Sequence, residues 1–136
     1  MSVPWRLIER TTGRVVVEHL VIADRFWSRF VGWQFRAAPP SGSGLLLAPC
    51  ASIHTFGMRF ALDAILLDRF GRVVEVRRDV RPWRVVIPSQ RTFAILEMAA
   101  GAGTTIAVGA RLRLEAPAED RRRLSKRLAS WAEGSS

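Results

Sequence analysis

Short apolar runs separated by turn-forming residues recur along this chain, and they constrain its fold more than any other feature. Each run is about four to nine residues long, which is typical of β-strands and short for a helix. Glycine, proline and aspartate stand between the runs, for example in Thr11–Gly13 and Asp68–Gly71. Strands joined by such short turns pair with their sequence neighbours, so the sequence predicts a mainly antiparallel sheet.

Two segments depart from this pattern and predict helices. Residues 24–34 carry aromatic and aliphatic side chains at helical spacing. Residues 117–133 begin with Pro117 and two acidic residues, which suit a helix N-terminus, and they end before Gly134. This second helix has an apolar stripe that we expect to pack on the sheet: Leu124, Leu128 and Trp131.

Together these elements predict an α+β fold, with a strongly bent, mainly antiparallel sheet or barrel-like core and both helices packed on it. A length of 136 residues fits a single domain. We expect residues 1–116 to form the β-rich core and residues 117–133 to add the C-terminal amphipathic helix.

The chain is basic, since 21 Lys and Arg residues against 12 acidic residues give a net charge of +9. A field of that sign attracts nucleic acid or an anionic surface, which is one alternative for a partner. All but one of the basic residues are arginine, a bias that GC-rich codon usage also produces. The apolar runs are far shorter than the roughly 18 residues of a membrane span, and residues 1–10 lack an export-signal core. We therefore expect a cytoplasmic protein.

The segment 49–68 joins unusual residues to a buried strand. Its first half contains Cys50, the only cysteine, and His54, one of two histidines. This half is too apolar for an exposed linker, and Gly57 permits a sharp turn, so we expect an ordered loop at one end of the sheet.

The pair Cys50 and His54 suggests an enzyme as an alternative. A thiolate and an imidazole within hydrogen-bond reach would suit a hydrolase, and both residues with Asp63, Glu97 or His19 would suit a zinc site. The sequence lacks the further residues that define either class of enzyme. We therefore assign no metal and no cofactor, and we favour binding over catalysis.

Asp63 and Glu97 lie within apolar strand segments. An unpaired ionised carboxylate there costs several kcal/mol, a large part of a total stability of about 5–15 kcal/mol, so each needs donors or a solvated edge. These groups either only fix the bend of the sheet or line a pocket for a small polar ligand, with Trp83 as a further apolar wall. The predicted ligand-binding residues are His54, Phe56, Met58, Arg59, Asp63, Glu97 and Arg36.

Three motifs in order resemble the domain of unknown function 192 family, a group of small prokaryotic domains. The first motif is Arg29, Gly32 and Phe35-Arg36 before the apolar run 44–47; the second is Phe56, Met58, Arg59 and Leu62-Asp63; the third is Leu96-Glu97 and Gly101. The likeness extends from about Arg14 to Leu114. It implies a compact, strongly bent antiparallel sheet with packed helices, and no established activity comes with it.

Overall fold

The computed structural model describes residues 5–23, 42–49, 53–54, 60–86, 90–116, 120, 124 and 126–132. These residues form nine strands and one short helix. In chain order they are β1 (Trp5–Glu9), β2 (Val15–Ala23), β3 (Ser43–Leu47), β4 (Ile53–His54), β5 (Leu62–Leu67), β6 (Val73–Val80), β7 (Val85–Val86), β8 (Ala94–Ala99), β9 (Leu112–Glu115) and α1 (Lys126–Ser130).

Seven strands form one sheet in the order β6-β5-β8-β3-β2-β1-β9, and β4 and β7 form a separate two-stranded ribbon. The predicted hairpins β1–β2 and β5–β6 are present, and most neighbours are antiparallel as expected. The exception is β2 with β3, which run parallel. The connection between them, residues 24–42, has the length that a parallel crossover requires. The helix predicted at 24–34 falls in this connection, outside the described residues.

The sheet curls into a half-barrel whose two edge strands meet at one end. Arg72, just before β6, forms an antiparallel bridge with Arg111, just before β9. Main-chain hydrogen bonds on either side complete the contact, from Val73 N–H to Ala110 C=O (2.8 Å) and from Leu112 N–H to Gly71 C=O (2.9 Å). We call this the closed end of the half-barrel.

The curled sheet has an inner and an outer face, and both are apolar. The inner face holds the larger cluster, which includes Leu7, Val17, Leu46, Ile65, Leu67, Leu96, Met98, Leu112 and Leu114. The outer face holds a second cluster: Leu45, Leu47, Leu62, Ala64, Leu66, Val86 and Ile95. The central strands β5 and β8 contribute to both faces, which explains why their sequences are continuous apolar runs rather than alternating ones.

The helix α1 packs on the closed end as its apolar stripe predicted. Leu128 and Trp131 are fully buried in the inner cluster. Trp131 donates its indole N–H to the carbonyl of Arg69 (2.8 Å), and its own carbonyl accepts the N–H of Leu114 (3.0 Å). The helix ends at Ser130, short of the predicted residue 133, since Trp131 and Ala132 form turns that hydrogen-bond three residues back. None of the described helical residues forms a segment long and apolar enough to cross a membrane.

The connection from β8 to β9, residues 100–111, folds over one opening of the half-barrel; we call it the β8–β9 loop. It consists mainly of turns. Arg78 donates to the carbonyls of Gly103 (2.7 Å) and Ile106 (3.1 Å), and Arg14 donates to the carbonyl of Thr105 (2.9 Å). Two arginines thus hold this loop through its carbonyl groups, and Ile106 is buried in the inner cluster.

Candidate functional site

The structure describes the side chains of Asp63 and Glu97 among the seven predicted ligand-binding residues. The main chain of His54 is also described, in β4, where it pairs with Val85 of β7. The other predicted positions lie outside the described residues: Arg36, Phe56, Met58 and Arg59, together with Cys50 of the catalytic alternative.

Asp63 lies on the inner face and is only 1% exposed. One carboxylate oxygen accepts the N–H of Asp79 (2.9 Å), and the other accepts the N–H groups of Gly101 (3.1 Å) and Gly103 (3.0 Å). These donors are main-chain groups of β6 and of the β8–β9 loop. Asp63 therefore ties two segments of the fold together.

The local backbone explains why these donors face Asp63. The β5–β6 register shifts between Leu62 and Ala64, and Asp79 takes a φ of +54°, so its N–H points to the carboxylate across from it. Gly103 approaches so closely that a Cβ there would lie 3.1 Å from the Asp63 oxygen. A larger residue would push the loop away from the acid.

Glu97 lies on the outer face and is 7% exposed. Its neighbours across the sheet are Leu45 on β3 and Ala64 on β5. Both neighbours belong to the outer apolar cluster, and the small Ala64 leaves room for the longer acid. No hydrogen-bond donor from the described part of the chain reaches its carboxyl group, and burial raises the pKa of Glu97 to about 7. Near neutral pH this carboxyl group is therefore divided between its protonated and ionised forms.

The pairing register places the two acids on opposite faces of the sheet. Asp63 is opposite Met98 on β8, whereas Glu97 is opposite Ala64 on β5. Directly paired residues point to the same side, and successive residues alternate, so Asp63 and Glu97 point in opposite directions. The structure does not bring them together, and one pocket cannot use both carboxyl groups.

The outer face offers one described cation in the same cross-strand row as Glu97. That row runs from Arg77 on β6 through Ala64 to Glu97. Arg77 is two strands away, about 10 Å by the usual strand spacing. Its guanidinium forms an ion pair with Glu75 on its own strand, so Arg77 is engaged elsewhere.

The β4–β7 ribbon lies against the outer face. Val86 of β7 is buried in the outer cluster with Leu45 and Ile95, whereas Val85 is exposed. Trp83, which we expected to form an apolar wall, is 65% exposed and takes a φ of +64°. The ribbon thus connects the strand that holds His54 to the face that holds Glu97.

A separate cleft of about 340 Å³ lies between the β1–β2 turn and the β8–β9 loop. Its lining includes Glu9, Thr12, Arg14, Ile106 and Leu112. Thr11 and Thr12 already donate to the Glu9 carboxylate, and the hydrogen bond from the Thr12 side chain is the main reason that the pKa of Glu9 is lowered. Sequence reasoning missed this cleft because its walls come from segments about 90 residues apart.

No three His, Cys, Asp or Glu side chains of the described ranges cluster closely enough to hold a metal ion. The described site is instead a single titratable acid in an apolar face.

The fold is thus a small mixed-sheet half-barrel with a helix against its closed end. The chain belongs to the family DUF192, "Uncharacterized ACR", whose model matches residues 7–114. This confirms the family resemblance drawn from the three motifs.

Two curated relatives carry the name UPF0127 protein. A UPF0127 protein of Thermococcus sibiricus is 36% identical over 101 residues, covering 70% of this chain and 64% of that protein. A UPF0127 protein of Pyrococcus furiosus is 30% identical over 114 residues, covering 80% of this chain and 96% of that protein. This chain therefore spans somewhat less than two thirds of the Thermococcus relative.

Solved structures share the fold. A Novosphingobium aromaticivorans protein of unknown function superimposes with a TM-score of 0.69 at 21% identity, covering 82% of this chain and 84% of that one. A Sinorhizobium meliloti protein superimposes with a TM-score of 0.65 at 20% identity, covering 82% of this chain and 91% of that one. At these identities the likeness concerns the fold alone.

Proposed function

We propose that the chain is a non-catalytic binding module whose outer face takes a small apolar molecule with an ammonium or other cationic group. Glu97 is the counter-ion in this proposal. The observation that carries it is the buried Glu97 carboxyl group, which no described donor satisfies and whose pKa burial raises to about 7.

The chemistry of the face selects the ligand class. A buried carboxylate without a partner is unstable, and a cation brought beside it removes most of that cost. The surrounding Leu45, Leu62 and Ile95 side chains favour an apolar body over a sugar or a phosphate. An alkylammonium group with a short hydrocarbon chain combines the two features.

The proposal keeps three of the sequence-predicted neighbours of the 50–63 region. His54, Phe56 and Met58 stay as predicted contacts, supported by the buried Val86, which joins the β4–β7 ribbon to the outer cluster. Arg36 and Arg59 are not contacts in this proposal, because a guanidinium group would repel a cationic ligand and would itself be the counter-ion of Glu97. Asp63 is not a contact in this proposal, because three main-chain N–H groups already occupy its oxygens. A cytoplasmic location also stays a prediction, which cell fractionation tests.

Hexylammonium is a suitable probe, with hexanol and hexanoate as matched probes of the same chain length. Calorimetric titration should detect hexylammonium binding that is about tenfold weaker at pH 6 than at pH 8, because an acid of pKa about 7 is mostly protonated at pH 6. Hexanoate should not bind, and hexanol should bind weakly without this pH dependence.

Two variants locate the binding. Glu97→Gln should abolish the pH-dependent binding of hexylammonium, whereas Asp68→Asn, in the exposed β5–β6 turn, should leave it unchanged. Binding of equal strength and pH dependence in Glu97→Gln would overturn the proposal. The proposal would also be overturned if Ala107→Phe, in the separate cleft, removed the binding and Glu97→Gln did not.

A further inference from the structure

The closed end of the half-barrel carries a compact group of cations around an exposed aromatic ring. We call it the closed-end patch. All its members have exposed side chains: Arg69, Phe70, Arg72, Arg111, Lys126 and Arg127. They come from three separate parts of the chain, namely the β5–β6 turn, the start of β9 and the helix α1.

The fold itself brings these three parts together. Arg72 and Arg111 face each other across the bridge that joins the two edge strands, and Val73 and Leu112 beside them point inward. Both arginine side chains therefore point outward from adjacent backbone positions. On the other side, Trp131 of the helical segment bonds to the carbonyl of Arg69 at 2.8 Å. The patch is held by main-chain and buried contacts, so its spacing is fixed.

The cations of the patch differ in their partners from three arginines elsewhere in the described residues. Arg6 and Arg113 form ion pairs with Glu115, and Arg77 forms one with Glu75. Within the described ranges, Arg69, Arg72, Arg111 and Lys126 have no acidic partner. Asp68, the acid in the same turn, accepts the main-chain N–H groups of Phe70 and Arg72. Asp68 keeps its negative charge in these bonds, but the five cations of the patch outnumber this one acid, so the surface is positive.

Phe70 gives the patch a second kind of contact. Its side chain is 68% exposed, and the guanidinium carbon of Arg127 lies 5.6 Å from the ring centroid. An aromatic ring among arginines provides a stacking surface beside cations that can neutralise phosphates, the combination used by proteins that bind single-stranded nucleic acid.

We propose that the closed-end patch binds single-stranded nucleic acid, with arginines on the phosphates and a base stacked at Phe70. An anionic membrane is the competing polyanion. A basic helix binds a membrane by inserting its apolar face. Here that face is occupied, because Leu128 and Trp131 are buried against the half-barrel at 0% and 1% exposure. The remaining chemistry favours a strand of phosphates and bases over a bilayer.

Fluorescence anisotropy with a labelled twelve-nucleotide thymidine strand tests this proposal. The Arg72→Glu/Arg111→Glu double variant should bind at least tenfold more weakly at 50 mM salt and should depend less on salt concentration, since each lost phosphate contact lowers the slope. Phe70→Ala should weaken binding by about fivefold to tenfold and leave the salt slope unchanged, because it removes stacking and no charge.

Arg84→Glu is the matched control. It changes the charge by the same amount per residue, but Arg84 follows the end of β6, whereas Arg72 precedes its start. It should reduce binding by less than threefold. An equal loss in Arg84→Glu and in the single variant Arg72→Glu would show that net charge alone attracts the strand and would overturn the proposal. No binding at 50 mM salt would also overturn it.

Two further measurements complete the test. If the Arg72→Glu/Arg111→Glu variant fails to fold by circular dichroism, Lys126→Glu/Arg127→Glu on the helix surface carries the same expectation. Vesicles with about one third phosphatidylserine serve as the alternative polyanion. Vesicle binding tighter than strand binding, and equally sensitive to Phe70→Ala, would assign the patch to a membrane surface instead.

Discussion

At the residue scale, two buried acids avoid the free-energy cost of an unpaired buried carboxylate in different ways. Asp63 stays within reach of three main-chain N–H groups, which stabilise a carboxylate directly. Glu97 has apolar neighbours, and burial raises its pKa to about 7, so it gains a proton instead. The first arrangement builds structure. The second leaves a carboxyl group that no donor of the described residues reaches.

The raised pKa of Glu97 predicts a specific dependence of stability on pH. In the folded state Glu97 keeps its proton up to about pH 7. In the unfolded chain the same side chain releases its proton at a lower pH, because its ordinary pKa is 4.5. Stability linked to this group is therefore fully present below about pH 4.5 and declines as pH rises to about 7. The decline should be roughly 3 kcal/mol at most. Urea unfolding between pH 5 and pH 8 measures it.

Glu97→Gln should remove this decline, because glutamine cannot ionise. The variant should be more stable than the wild type at pH 8 and close to it at pH 5. Glu9→Gln is the control: the pKa of Glu9 is lowered by Thr12, so Glu9 contributes stability that is lost as the pH falls. It should leave the decline from pH 5 to pH 8 intact. A wild-type stability that does not fall over this interval would contradict the assignment.

At the element scale, local signals predicted the hairpins but not the contacts between distant strands. The turn at Asp68–Gly71 specifies β5–β6, since the glycine takes a φ of +82° and Asp68 accepts two turn N–H groups. The alternation of side chains along β8 likewise predicts that Glu97 and Met98 point to opposite faces of the sheet. Which β5 residue lies opposite Glu97 depends on the register between strands about 30 residues apart, which no turn specifies. The sequence therefore located both acids in strands and could not separate their faces.

The same limit applies to the parallel pair and to the closed-end patch. The short turns predict the mainly antiparallel pairing, but no turn signal identifies β2 and β3 as the parallel pair, which the long connection 24–42 joins. The net charge predicts an anionic partner, but it does not show which arginines lie together on the surface. Arg72 and Arg111 are about 40 residues apart in sequence and become neighbours only when the edge strands meet.

The β8–β9 loop is the element that depends most directly on a single side chain. Asp63→Asn replaces one acceptor oxygen by an NH₂ group that faces an N–H donor, and it removes the negative charge. We expect a loss of about 2–4 kcal/mol in the free energy of unfolding. Amide exchange should quicken more at Asp79, or at Gly101 and Gly103, than in β1, because the N–H groups that face the new NH₂ group lose their acceptor.

Asp68→Asn provides the matched comparison within the same hairpin. The same oxygen, Oδ1, accepts both turn N–H groups, and asparagine retains that acceptor. Its cost should stay below about 1 kcal/mol. If Asp63→Asn proved as mild as Asp68→Asn, the three bonds to Asp63 would not stabilise the loop, and Asp63 would again be available to a ligand.

At the scale of the whole molecule, the half-barrel depends on a short closing contact. Its edge strands meet through one bridge and the main-chain bonds beside it, and the side chain of Trp131 fills the space next to them. Gly71 lies at the centre of this arrangement. A Cβ there would lie 2.8 Å from the carbonyl oxygen of Leu112 and 3.4 Å from the indole ring of Trp131. The closing contact therefore requires glycine for its space as well as for its backbone angle.

Gly71→Ala tests whether this contact holds the molecule together. Gly13→Ala is the matched control, because Gly13 also has a positive φ, of +74°, but has no atom within 4 Å of an added Cβ. The control should cost about 1 kcal/mol for the backbone angle alone. Gly71→Ala should cost at least about 2 kcal/mol more in urea unfolding, because the β6 and β9 edges must separate to admit the methyl group. Faster amide exchange at Val73, Gly109 and Leu112, whose N–H groups close the half-barrel, would locate the change there. Equal costs in the two variants would mean that the edges move apart easily, and the closed end would then be too mobile to fix the spacing of the arginines around it.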